Sequence, residues 1–565
     1  FPIFFSKHDP NVLYVAGNHV FRSTDLGTTW EVLSPDLTRN DPEKLKPSGG
    51  PITRDNSGAE VYCTIFALAE SPLRPGLLWA GTDDGLVHIS EDGGRTWRNV
   101  TPPDLPEWAL ISIVEPSPHD PATCYIAATR YKLDDVRPYL YKTNDFGRTW
   151  TKIVGGIPEH EFTRVIREDP NRRGLLYAGT ETGLYVSFND GGHWHRLKGN
   201  LPVVPIYDLV IKGVEMVVAT HGRSFWILDD LTPFYQLDEP LDDSKPHLFR
   251  PRPVLRMRMD RARPYHDPVL GMVNYAGVGT SVVAVLPERA ADGSVTYRYL
   301  TAGENPSTGV IVHYYLPEEI AGPVSLTFLD RDGNELRTFT RETGRLPVEP
   351  GLNRFVWNMR LPGAPDVTAP DLEPWPRPDG PLVLPGSYQV RLTIGDHHLV
   401  QPFEIEPDPR ITATRGDLQA QFELLQRIIE KLSLTNVTVN QIDALLAQVR
   451  VWEQRIASLT TNQGEALRDA LGAFDRELNS IRGTLIDVHM RESQVWPSGL
   501  HEKLNALFDS VDRADYAPTR QSLEVFAELS ARLDEQLGRL RQVLEVQGGA
   551  LNEAIREAGL APIGS

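Results

Sequence analysis

Over its first two hundred or so residues the chain alternates apolar and polar positions in short runs, the period of strands buried on one face or both. One stretch shows the pattern: Thr64–Ala69, Leu77–Gly81, Leu86–Ser90 and Thr96–Val100 follow one another with Gly, Asp and Pro between them. Short runs broken by turn residues predict antiparallel strands joined by hairpins. The second run of this unit recurs as LYVAG, LLWAG, CYIAA and LLYAG. A further pass reads Ile206–Ile211, Met216–Thr220 and Ser224–Asp230. From Val310 a new period-two pattern begins, with VIVHYYL, VSLTFLD, LRTFT, NRFVWNM, YQVRLTI and LVQPFEI. After Asp408-Pro409 the period changes to that of a helix, over Asp417–Leu432, Val439–Leu459, Gly464–Ile486, His501–Val511 and Leu523–Val546.

The strand repeats carry a second signature. STDLGTTW, SEDGGRTW, TNDFGRTW and SFNDGGHW each place Ser or Thr first, Asp or Asn two positions on, Gly four on and Trp seven on. The hydroxyl and the carboxylate suit the N–H groups of a tight turn. The glycine supplies a left-handed backbone, and the indole supplies apolar surface for packing between sheets. This is the Asp box, a structural hairpin, and its acid is no evidence of catalysis. Repeated four-stranded units of this kind are the blades of a propeller.

The expected fold class is therefore mainly β with an α C-terminal domain. Residues 1–238 form a partial Asp-box β-propeller of four boxed blades and a closing one. Residues 239–308 are a connecting β segment that includes a strand at His247–Met257 leaving the ring. Residues 309–408 form an immunoglobulin- or fibronectin-like sandwich, and 409–565 a helical domain. Gly363–Leu384 is expected as a Pro-rich surface loop. The ring is expected to be incomplete, its other blades lying ahead of Phe1 or on a separate chain.

Composition removes several classes of function. A formal charge of −19 with no basic run argues against nucleic acid as a partner. Two cysteines exclude a disulfide framework and a cysteine zinc site, and Cys63 and Cys124 are expected to be buried on strands. DRDGNE at Asp330–Glu335 reads as a hairpin turn, since the remaining ligands of a calcium loop are missing. No cofactor and no metal are expected. No transmembrane stretch is present, and FPIFFSKHDP has no signal-peptide features. A nucleophile-elbow serine, an HExxH pair and a phosphate-binding glycine loop are all absent.

Loops joining strand two to strand three share one side of a propeller with the loops between blades, opposite the Asp boxes. That side gathers Asp83, Asp84, Asp134, Asp135, Arg137, Glu60, His221 and Arg223 as candidate ligand-binding residues, with Arg54, Asp55 and Glu181 nearby. Arginine offers a bidentate grip on a carboxylate, and acids accept sugar hydroxyls. Paired carboxylates could also hydrolyse a glycoside. Each has a structural alternative: the acids of TDDG and TETG can cap their own turns, and His221 can sit in a packed network. Asp134, Asp135 and Arg137 lie in the longest such loop, where function concentrates. No catalytic residue can be named.

The runs SGGPITRDNSGAEVYCTIFALAESP, DDVRPYLYKTNDFGRTW, REDPNRRGLLYAGTETGLYVSF and ATHGRSFWILDD resemble the large bacterial BNR-repeat proteins, often labelled glycosyl hydrolases or sortilin-like. The resemblance extends over almost the whole chain, including the sandwich and the helical tail. It implies further blades and a secreted, periplasmic or cell-surface location. It also implies recognition of a peptide, protein or glycan through the propeller face. A glycoside hydrolase acting on a polysaccharide is the alternative, and a scaffold or assembly subunit the second alternative.

Overall fold

The computed structural model describes residues 1–49, 52–55, 61–237, 241–258, 263–264, 269–278, 281–289, 295–302, 308–320, 322–344, 346–368, 379–456, 462–487 and 499–557. The chain divides into two compact units, Phe1–Leu241 and Asp242–Ser565.

The first unit is a succession of antiparallel sheets, each formed by consecutive strands. Blade 1 holds Ile3–Phe5, Leu13–Ala16, Val20–Ser23 and Glu31–Val32. Blade 2 holds Ile65–Glu70, Leu78–Thr82, Val87–Ser90 and Arg98–Asn99. Blade 3 holds Leu110–Pro116, Cys124–Arg130, Asp135–Thr143 and Thr151–Lys152, and blade 4 holds Thr163–Glu168, Leu176–Thr180, Leu184–Ser187 and His195–Leu197. Blade 5 has three strands, Ile206–Lys212, Glu215–Thr220 and Phe225–Leu228. Apolar residues on both faces of the middle blades fill the joints between neighbours. Trp79, Val87 and Ile89 of blade 2 meet Ile111, Ile126 and Ala128 of blade 3, and all are buried. That accounts for runs such as LLWAG, which are apolar throughout rather than alternating.

The Asp box acts as the sequence implies. In blade 2 the Ser90 hydroxyl accepts from the Gly94 N–H at 2.9 Å and donates to Asp92. Asp92 accepts from the Thr96 N–H at 2.9 Å and its hydroxyl at 2.7 Å. Gly94 has φ +92°, and a Cβ there would lie 2.9 Å from Leu33 of blade 1. Gly147 and Gly191 approach Val100 and Ile153 in the same way. The glycine is thus required twice, by its backbone angle and by the neighbouring blade. The boxes of blades 2, 3 and 4 also reach backwards. The Trp97 indole N–H donates to Leu33 O at 3.0 Å, Trp150 to Val100 O at 2.6 Å, and Trp194 to Ile153 O at 2.7 Å. Leu33, Val100 and Ile153 each stand three residues after the box tryptophan of their own blade, so one contact repeats at every boxed joint. Cys124 is buried on a strand, as expected, whereas Cys63 is buried in the turn before blade 2, with φ 59°.

In the second unit a three-stranded sheet of His247–Leu248, Val310–Leu316 and Gly351–Trp357 shares a core with a five-stranded sheet. The five-stranded sheet contains Val254–Arg256, Val324–Asp330, Glu335–Thr340, Gly386–Ile394 and His397–Pro407. Phe328 stacks on Trp357 at 4.3 Å between the two. Residues 247–256, expected as a strand leaving the ring, instead supply an edge strand to each sheet, the second running parallel to His397–Pro407. Asp330 accepts from the Asp332 and Asn334 N–H groups, the hairpin geometry expected of DRDGNE. Among the described residues no cluster able to hold a metal ion occurs, and no helix is long and apolar enough to cross a membrane.

Helices Arg415–Ile456, Asn462–Leu485, Leu500–Asp512, Arg520–Gln542 and Gly549–Glu557 enclose a separate apolar core. Two helices expected between 417 and 459 are one. The intervening SLTNVT satisfies its own hydroxyls: Ser433, Thr435 and Thr438 bond the carbonyls four residues back. Asn436 and Asn440 of this helix hold the carbonyls of Pro365 and Asp366, so the described start of the Pro-rich loop docks here. Buried Arg256 meets buried Asp515 at 2.6 Å, Arg258 bonds Asp512 and Asp515, and Arg360 bonds Asp512 at 2.7 Å. The change from strand to helix at 408/409 is therefore no gap in packing.

Candidate functional site

Strand direction alternates within a blade, so the turns between strands two and three emerge on the side where each blade follows the last. The structure places the described candidates in the strand-two-to-three turns and connecting loops of blades 2 to 5, and it uses most of their charges internally. Asp83 is buried and accepts from the Thr64 N–H at 2.8 Å and its hydroxyl at 3.0 Å; burial pushes its carboxyl pKa up. Asp84 is fully buried and accepts from the Arg39 N–H at 2.7 Å and the Thr82 hydroxyl at 2.5 Å. Both are turn and loop caps.

Asp135 binds Arg137 through two bonds of 2.9 Å, Arg130 at 3.0 Å and the Tyr139 hydroxyl at 2.8 Å. The Arg137 fork beside it holds its carboxyl well below the usual range. The bidentate grip expected of Arg137 for a ligand is thus occupied by its own neighbour, which corrects the expectation of an unpaired Asp135/Arg137 pair. Asp134 is exposed, in the left-handed region at φ 58°, and ends the single turn Tyr131–Leu133. Glu181 bonds Arg164 at 2.6 Å. His221 and Arg223 are exposed, and the His221 ring lies edge-on to Tyr207 at 4.8 Å. Arg54 lies in a two-residue strand paired with Ser48–Gly49, next to Asp55. Glu60 lies outside the described residues.

What the charges leave is an aromatic rim that sequence reasoning missed. Tyr62 stacks on Trp108 at 6.0 Å, and Trp108 carries Arg39 and Lys44 over its ring at 5.0 and 5.4 Å. Farther along, Tyr131 stacks at 4.9 Å on Phe162, which is itself buried beneath it. The Arg164 guanidinium lies 4.2 Å from the Tyr207 ring, 4.9 Å from Phe162 and 5.2 Å from Tyr131. Glu181 neutralises Arg164 from the side. These groups come from blades 2 to 5 and their connecting loops. A usable signal existed: Tyr62, Trp108, Phe162 and Tyr207 each stand at or just before the first strand of a blade. Aromatic faces beside a few fixed polar groups suit ligands with alternating apolar and hydroxylated surfaces. None of Asp83, Asp84, Asp135 and Glu181 is free to pair with another as acid and base.

No family model matches the chain. It is 29% identical over 158 residues to an oligoxyloglucan-reducing end-specific xyloglucanase of Emericella nidulans, a match that covers 26% of this chain and 17% of that protein. It is 27% identical over 157 residues to xyloglucanase Xgh74A of Acetivibrio thermocellus, covering 24% of this chain and 19% of that one. The chain thus spans under a fifth of the relatives it matches. Among solved structures, the GH74 xyloglucanase from Xanthomonas campestris is 15% identical, with a TM-score of 0.33 and 73% of each chain covered. YCF48 bound to D1 peptide is 17% identical with a TM-score of 0.27, covering 39% of this chain and 62% of that one.

Proposed function

We propose that the chain belongs to an extracytoplasmic, glycoside hydrolase-like protein acting on a polysaccharide, and that its propeller rim holds the glycan. The observation that carries this reading is the aromatic series Tyr62, Trp108, Tyr131 and Tyr207 along one side of four successive blades, with buried Phe162 backing Tyr131. Sugar rings offer C–H faces to such surfaces and hydroxyls to the polar groups between them. Similarity to xyloglucanases over about a quarter of the chain supports a β-glucan backbone as the substrate class. Recognition of a peptide is the weaker reading, because the arginine and acids expected to grip one are bonded to each other. The candidate acids with described side chains, other than Asp134, are bonded within the fold, so this chain alone is expected to bind glycan without cleaving it.

Affinity electrophoresis of the chain in gels containing xyloglucan, mixed-linkage glucan or no polysaccharide tests the reading. Retardation by a glucan, lost in Trp108→Ala with Tyr131→Ala and without a change in melting temperature, is the expected result. Equal mobility in every gel overturns it.

A further inference from the structure

The blades can be superposed by register, and the ends of the series then stand apart from its middle. Pairing sets Gly179 opposite Leu184 and Tyr177 opposite Val186 in blade 4, and Ala219 opposite Phe225 and Val217 opposite Ile227 in blade 5. Leu184, Val186 and Tyr177 of blade 4 are 4%, 3% and 0% exposed, because they pack on Ile206, Leu209, Met216 and Val218 of blade 5. The counterparts of Leu184 and Val186 in blade 5, Phe225 and Ile227, are 75% and 63% exposed, and Val217, the counterpart of Tyr177, is half-buried. The converse face of blade 1 is equally bare. Ile166 of blade 4 pairs with Ala178 and is fully buried against blade 3, whereas Ile3 of blade 1 pairs with Val15 and is 63% exposed.

The Asp-box contacts give a second, independent sign. Trp97, Trp150 and Trp194 each donate to a carbonyl of the preceding blade, and Gly94, Gly147 and Gly191 each abut an apolar side chain there. In blade 1 the same positions are Trp30 and Gly27. Trp30 is 42% exposed and makes no such bond among the described residues, and a Cβ at Gly27 would meet only the Trp30 ring.

We infer that further Asp-box blades cover both ends of this series. The occupant must offer blade 5 a face like that of Ile206, Leu209 and Met216. It must offer blade 1 a next-blade face together with a strand-four carbonyl for Trp30. A blade carries both, one on each side. Propellers close with roughly four to eight blades, which leaves room for about one to three beyond these five. A second copy of the chain would instead double the five and exceed that range.

The test uses the full 565-residue chain, alone and with one, two or three copies of its own fourth blade, residues 163–205, fused ahead of Phe1. For the chain alone the expected result is a monomer in sedimentation that binds the dye ANS. Its Phe225→Lys/Ile227→Lys variant should melt like the parent and bind less dye. One of the fused forms should raise the melting temperature and lower dye fluorescence by roughly twofold or more. A chain that sediments as a dimer split by Phe225→Lys overturns the inference in favour of a second copy. A marked fall in melting temperature for the monomeric lysine variant also overturns it, since the faces would then be covered within the chain. The lysine result decides the matter even where a fused blade fails to fold, and neither readout depends on glycan binding.

Discussion

The two rims of the propeller are made from the same blades, and they spend their polar residues differently. On the Asp-box rim the box residues close a hairpin in every boxed blade, and in blades 2 to 4 they tie it to the blade before. On the opposite rim no two loops agree. Asp83 and Asp84 cap one, Asp135 gathers Arg130, Arg137 and Tyr139 in another, and Glu181 neutralises Arg164 in a third. Repetition marks what every joint needs, and variation marks where a ligand can be read. The charged groups of the variable rim nevertheless resemble those of the repeated one, because most are bonded internally. Its aromatic faces are what set it apart.

Substituting two tryptophans of the Asp-box rim separates a stapled box from an open one most sharply. Trp194→Ala, at a buried staple between blades 3 and 4, is expected to cost about 3–5 kcal/mol. Trp30→Ala, whose indole is half out, is expected to cost under about 1 kcal/mol in the isolated chain. Equal losses in chemical denaturation would show that the staple is not what the tryptophan contributes. Next, Asp135→Asn removes the carboxylate that holds two arginines and a tyrosine, for an expected loss of about 1.5–3 kcal/mol. Arg137→Ala, mostly exposed, is expected to leave the melting temperature unchanged. The reverse order would return Arg137 to the list of structural residues.

The boxes were legible because they depend on local chemistry at fixed spacing: a hydroxyl, an acid, a glycine and an indole within eight residues. Strand-rich and helical regions were legible from period alone. The single helix Arg415–Ile456 was not, because SLTNVT looks like a break until its hydroxyls are seen bonding back along the helix. The rim was misread for a related reason. Charge was taken as availability, yet Asp84 lies beneath Arg39, a residue forty-five positions away that no local pattern connects to it. Aromatic residues such as Trp108 and Tyr131 carry no charge and drew no notice in the sequence, and only their stacking across blades sets them on the rim.

A smaller effect sharpens the contrast at the rim itself. Trp108→Ala is expected to weaken glucan binding about tenfold, equivalent to about 1.4 kcal/mol, whereas Asp83→Asn should act on stability more than on affinity. Titration calorimetry beside thermal melting distinguishes the two.

The last comparison is of acidity. Bonds from the Thr96 N–H and hydroxyl lower the Asp92 carboxyl to about 2. A depressed acid stabilises the fold above its unfolded pKa, and that contribution disappears as pH falls from about 4 towards 2. Burial lowers His88, on the third strand of blade 2, to about 4. The unfolded chain therefore takes up this proton first, and stability falls as pH drops from about 6.5 towards 4. His88→Gln is expected to flatten melting temperature against pH across that upper window only. An unchanged profile would show that His88 titrates normally.

The backward reach of the indoles also sets an order of assembly. Blades 1 to 3 are each locked by a tryptophan that lies later in the chain, so each stays unlocked on leaving the ribosome until its successor has followed. Blade 5 carries no box and adds no indole lock to blade 4; that joint rests on Ile206, Leu209, Met216 and Val218 and on bonds from Arg167 and Asn171. Opening is accordingly expected to begin there and travel towards blade 1, as in arrays whose stability is a sum of neighbour terms. Backbone amides of Glu215–Thr220 would then exchange with solvent before those of Leu176–Thr180, although the two strands occupy the same place in their sheets.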